Sequence, residues 1–129
     1  VQTCALPISP VTKHNHEIRE ELRQPAIDLR HEIPDVLRAF GELSRAAMAE
    51  GALSSQLKEL IALAIAATRE CDGCIVAHAR GAARLGATRQ QVAEVLGVVI
   101  LMNGGPGTVW GPRALRAFDE ALAEREPTA

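Results

Sequence analysis

The stretch from Leu60 to Ala67, LIALAIAA, holds no polar side chain, and it limits the fold more than any other feature. As a helix it is apolar on nearly every face, so it must be buried nearly all round. The stretch from Val92 to Met102, VAEVLGVVILM, makes almost the same demand. Neither run reaches the roughly 18 apolar residues that span a bilayer, and no signal-peptide pattern opens the chain. The expectation is a soluble, cytoplasmic protein with no membrane partner. One domain of 129 residues has little room to enclose two such helices. The sequence therefore predicts a homo-oligomer that buries them against copies of itself.

The rest of the core must come from small aliphatic residues, because the chain has no Tyr, two Phe and one Trp. Ala and Leu favour helices. A formal charge of −2 with no basic run argues against a nucleic-acid partner. Pro34 suits the first turn of a helix that places Val36, Leu37, Phe40, Leu43, Ala47 and Met48 on one face and stops near Gly51. Ser54 or Ser55 caps the next, which runs to about Arg69. A third is capped by Asp72 and closes at Gly86, and a fourth opens on a capping box of Thr88 with Gln91. After a turn-rich NGGPGTVWGP, a last helix is expected from Arg113 to about Glu124. The fold class is all-α, with about five to six helices and no strand.

The opening VQTCALPIS reads as the translation of a common sequencing-adapter string, so residues 1–9, Cys4 included, are excluded from the fold. Residues 10–32 form a polar arm, solvated, with a helical rhythm interrupted at Pro25. Its HNH lacks the surroundings that a nuclease metal site needs. The domain proper spans 33–126.

The chemistry is concentrated in CDGCIVAH, residues 71–78. With Asp72 as cap, Cys74 lies in the first turn and Cys71 just outside it, where unpaired backbone amides stabilise a thiolate. The three-residue spacing puts both sulfurs on one side, within reach of a disulfide. His78, one turn beyond Cys74, shares that face and suits a base or proton shuttle. C-x-x-C also occurs in zinc sites, but these want four ligands and no second Cys or His pair follows. Two structural thiols with a surface histidine are the bland alternative. In a cytosolic chain, the redox dithiol is the commoner use of the motif.

These residues bring a family into view. ELIALAIAA, then C-x-x-C-x-x-x-H, then GATRQQVAEVLGVVILMNGGP resembles the carboxymuconolactone decarboxylase family, in its AhpD-like (alkyl hydroperoxidase D) branch. The likeness runs from about Ile33 to Glu124 and includes a glutamate, Glu59, twelve residues before the first cysteine. The resemblance implies an all-helical fold assembling into trimers or hexamers; no cofactor and no metal are expected. Cys74 is then the peroxidatic thiol, Cys71 the resolving one, and His78 coupled to Glu59 the proton relay. Peroxide or a disulfide is the implied substrate, and a dithiol, in some members a dihydrolipoyl-bearing protein, the reductant. On the residues alone, Glu59 beside Lys58 reads as a surface glutamate favoured by the helix dipole. The resemblance reverses that reading.

The sequence departs from the branch at Gly73, where relatives carry an aromatic residue or a histidine, which weakens the expectation of peroxide reduction. The name-giving decarboxylase branch, acting on a cyclic lactone acid, generally lacks the cysteine pair. Trp110 and Met102 flank the NGGPG turn, where they could line an active-site mouth, but buried packing is the expectation. Gly104, Gly105 and Gly107 form no phosphate loop and suit backbone turning or close helix approach. Arg80 and Arg84, following His78 on its helix, could attract acidic ligands, but solvated charge is the expectation.

Overall fold

Helices in this chain begin where the sequence offers a partner for otherwise unpaired amides. The computed structural model describes residues 14–125, so the expectation for residues 1–9 lies outside the described residues. Six helices follow in order: α1 (His14–Glu32), α2 (Pro34–Met48), α3 (Ser55–Thr68), α4 (Asp72–Arg84), α5 (Arg89–Asn103) and α6 (Gly105–Arg125). Among the described residues there is no strand, and the fold is all-α. Pro34 opens α2. Ser54 Oγ accepts from the Leu57 amide at 3.1 Å to cap α3. At α5 the Thr88–Gln91 box is complete, with bonds of 3.1 and 2.8 Å.

Two helix ends share one closure. After α3, the Glu70 and Cys71 amides donate to Ala67 O and Ala66 O, each at 3.2 Å; after α4, those of Gly86 and Ala87 reach Ala83 O at 3.1 Å and Ala82 O at 3.0 Å. Both are Schellman motifs, which need a left-handed residue. Gly86 meets that need at φ 81°, whereas α3 places Glu70 there at φ 56°. The strained position leads directly into Cys71.

Helices α3 to α6 enclose the core. Leu63, Ile75, Val92 and Phe118 are its largest fully buried members, and alanines fill most of the rest. Small residues let the backbones come close. A Cβ on Gly107 would lie 2.9 Å from Ile100 Cα, so α6 starts pressed against α5. Arg89 ties the two helices at their other ends, donating to both oxygens of Asp119 at 2.8 and 3.1 Å. Hydrogen bonding to Asp119, and its charge, hold the Arg89 proton more firmly than usual.

Several expectations are corrected. Helix α6 begins at Gly105, not Arg113, because Pro106 falls in its first turn, where a missing amide costs nothing, and the helix continues through Pro112. Helix α1 likewise runs through Pro25. It is exposed over most of its length but pinned at its start, where the buried Asn15 side chain donates to Ala117 O at 2.7 Å and the Asn15 backbone N–H to Glu120 Oε2 at 2.9 Å. Within one chain, α3 is not enclosed all round: Leu57, Ile61 and Ile65 reach the surface. Val36, Phe40 and Leu43 of α2 and Val98, Leu101 and Met102 of α5 are exposed as well, so Met102 is not buried packing. Trp110 is half-buried against the core, with the Arg113 guanidinium 4.6 Å from its ring centroid. No helix of the described residues is long and apolar enough to cross a membrane.

Candidate active site

The turn after α3 delivers Cys71 in extended conformation (φ −99°, ψ 96°), and this residue, not Asp72, is the N-cap of α4. Its Sγ accepts from the Cys74 amide at 3.3 Å, a role normally filled by an oxygen. Asp72 instead becomes the first helical residue, facing His14 Nε2 at 3.6 Å and Arg113 Nη1 at 3.9 Å. Those contacts join α1 and α6 to the start of α4. Cys71 and Cys74 form a disulfide, their Cα atoms 5.3 Å apart. Cys74 is exposed and Cys71 half-buried.

One turn further along α4, His78 Nδ1 lies 2.8 Å from Glu59 Oε2. The two residues are 19 positions apart and sit on different helices. An ionised carboxylate only accepts hydrogen bonds, so Nδ1–H donates to it, and in the neutral ring Nε2 carries the lone pair. The Glu59 side chain is 11 % exposed and that of His78 33 %. Glu59 is therefore buried, against the reading from residues alone. Its neighbour Lys58 is turned away, donating to Ala49 O at 2.6 Å.

Gly81 makes this burial possible, and sequence reasoning missed it. A Cβ at position 81 would lie 2.5 Å from both Glu59 carboxylate oxygens, closer than atoms can approach. The Glu59 carboxyl group thus occupies the space that any other residue at 81 would fill. The signal was faint: a glycine three residues after His78, on the same helix face.

Behind Glu59 lies a cavity of about 410 Å³ bordered by Arg80, Arg84, Glu124 and Arg125. Arg80 is not simply solvated. Its Nη1 is 3.3 Å from Glu124 Oε2 yet shielded from solvent without a hydrogen bond. Among the described residues, no three His, Cys, Asp or Glu side chains gather closely enough to hold a metal ion.

The carboxymuconolactone decarboxylase family model matches residues 34–122, which leaves α1 outside the match. An uncharacterized protein of Cupriavidus necator is 44% identical over 86 residues, 67% of this chain and 76% of that protein. Another, described as uncharacterized protein 4 in cox locus of Paracoccus denitrificans, is 40% identical over 82 residues, 64% of this chain and 74% of its own length. The crystal structure of an apo carboxymuconolactone decarboxylase family protein from Legionella pneumophila superposes with a TM-score of 0.83 at 35% identity, covering 86% of this chain and 99% of that one. This chain belongs to the carboxymuconolactone decarboxylase family.

Proposed function

We propose that the chain is a thiol-dependent oxidoreductase of the AhpD-like branch, reducing a peroxide or a disulfide through Cys71 and Cys74. The observation that carries this reading is the Glu59–His78 contact of 2.8 Å, one helical turn from the Cys71–Cys74 disulfide. Glu59 fixes the ring's tautomer and orientation, which presents Nε2 for proton transfer. In the reduced enzyme His78 takes the Cys74 proton. The thiolate attacks one peroxide oxygen, the O–O bond breaks, and the departing oxygen recovers that proton from His78 as an alcohol or water. Cys74 becomes a sulfenic acid; the Cys71 thiol displaces its oxygen as water and closes the disulfide. An external dithiol, such as a dihydrolipoyl group, returns two electrons and two protons by exchange and leaves as its own disulfide. Run against a disulfide substrate, the same pair passes on those electrons without peroxide. The exposed apolar surface of α2 and α5 supports assembly into a trimer or hexamer.

The test is a trapping experiment. Under peroxide, Cys71→Ser is expected to accumulate a Cys74 sulfenic acid captured by a 1,3-dione, whereas Cys74→Ser gives no adduct. No adduct, together with thiols that resist both peroxide and disulfide oxidants, overturns the reading.

One observation favours a second reading, decarboxylation of a small cyclic acid. The cavity behind Glu59 carries the arginines 80, 84 and 125, a set suited to a carboxylate. That reading predicts turnover of such an acid by a variant lacking both cysteines.

A further inference from the structure

A second, larger cavity, about 640 Å³, runs between α1 and α4. It starts at Gly73, between the two cysteines, and reaches Arg80. Its apolar lining comes from Ile18, Leu22 and Ala26 of α1 and Val76 and Ala77 of α4. Leu22 is 49 % exposed despite facing another helix, because this groove lies open beside it. A Cβ on Gly73 would sit 3.5 Å from Leu22 Cδ1, so any larger side chain at 73 would grow into the groove. The absent ring at this position is therefore also vacant space beside the disulfide.

The remaining lining is mostly cationic. Arg19, Arg23 and Arg80 border the groove, with Glu20 the one acidic side chain among its lining residues. Arg19 and Arg80 share a single carboxylate, Glu124, at 3.8 and 3.3 Å, and Arg23 meets Glu20 at 3.9 Å. One positive charge is left over, and although Arg80 Nη1 is shielded beside Glu124, the Arg80 side chain as a whole is 38 % exposed. Seven residues of helix separate Gly73 from Arg80, about 10 Å at ~1.5 Å per residue. About eight carbons of extended chain, with single bonds near ~1.5 Å, cover the same distance.

Resting on the thiol reading above, we infer that this groove binds the oxidising substrate, and that the substrate is an aliphatic hydroperoxide carrying a carboxylate. Its tail lies along Ile18, Leu22 and Val76, its carboxylate meets Arg80 and Arg19, and its O–O bond reaches the cysteine end. The reaction remains a two-electron reduction: the hydroperoxide becomes the hydroxy acid and Cys74 the sulfenic acid, which Cys71 resolves with loss of water. A protein-bound lipoyl arm fits less well, because its carboxylate is consumed in an amide and leaves the arginines unanswered.

The experiment uses the full chain, reduced, and follows thiol loss with linoleic acid hydroperoxide, its methyl ester and hydrogen peroxide. The acid is expected to react about tenfold faster than the ester, the worth of one charge-assisted contact. In Arg80→Gln the acid-to-ester ratio should fall towards one. Equal rates for acid and ester in the wild-type chain, with hydrogen peroxide still reactive, overturn the groove assignment and leave the thiol reading standing. If no peroxide or disulfide oxidises the thiols, the thiol reading fails. Titration with decanoate, an unreactive chain of the same chemistry, then decides the groove alone: binding that Arg80→Gln abolishes supports an acid-chain site, and no binding overturns it.

Discussion

Helices α4 and α5 pack against the same core, yet they divide apolar surface in opposite ways. Helix α4 carries Asp, His and two Arg among its residues and still buries Ile75, Val76, Ala79, Gly81, Ala82 and Ala83. Helix α5 is the more apolar of the two but buries only Val92, Leu96 and Val99. Leu101 and Met102 stand 79 % and 77 % exposed. The difference lies in residue size. Alanine and glycine let α4 sit deep among its neighbours, close enough for a buried carboxylate from α3 to lie against its backbone. The bulky aliphatic side chains of α5 spread around the helix, further than one chain can cover. In this fold burial follows the fit of small residues, and surplus apolar surface stays exposed on the single chain.

Enlarging or emptying the buried side should have the largest effects. Phe118→Ala, at a fully buried position, should cost about 3–5 kcal/mol in denaturant unfolding. Leu101→Ala should stay within about 0.5 kcal/mol in a dissociated chain. A comparable loss at both positions would mean that Leu101 is covered in solution, and sedimentation of Leu101→Glu would show whether a copy covers it. Gly81→Ala comes next. In an open helix this change stabilises by roughly 0.5–1 kcal/mol. Here the Cβ must displace Glu59, and unfolding should instead show a loss of about 1–3 kcal/mol. Thr88→Ala, which opens the capping box of α5, is expected to cost about 1 kcal/mol. The smallest effect concerns the two Schellman ends: Glu70→Gly should raise stability by up to about 1 kcal/mol, because it supplies the residue that α4 already has at Gly86.

Local signals made three of the six described helix starts legible. Pro34, Ser54 and the Thr88–Gln91 box act within one turn of where they stand, and each marks a boundary found in the structure. The start of α6 was hidden because Gly104 to Pro112 is rich in turn residues, and only packing of Gly107 on Ile100 rewards a helix there. The cysteine pair and His78 were legible for the same reason as the caps: they lie on one helix at helical spacing. Glu59 was not, since its meeting with His78 depends on the turn through Glu70 and on the angle between α3 and α4. No spacing rule encodes that. Gly81 was less visible still, because its role is to be absent from the space that Glu59 fills.

In the proposed mechanism Glu59 and His78 form a proton relay for the Cys71–Cys74 pair. Its most direct test is the rate of disulfide closure in the full reduced chain after addition of hydrogen peroxide, followed by thiol titration and mass mapping, for the wild type, His78→Ala and Glu59→Gln. Reversible loss of both thiols through a Cys71–Cys74 bridge is expected, with closure slowed by about 100-fold in His78→Ala, the lower end of what a positioned acid–base group contributes, and slowed less in Glu59→Gln. Closure at the wild-type rate in both variants, or thiols that stay reduced in the wild type, would contradict that mechanism.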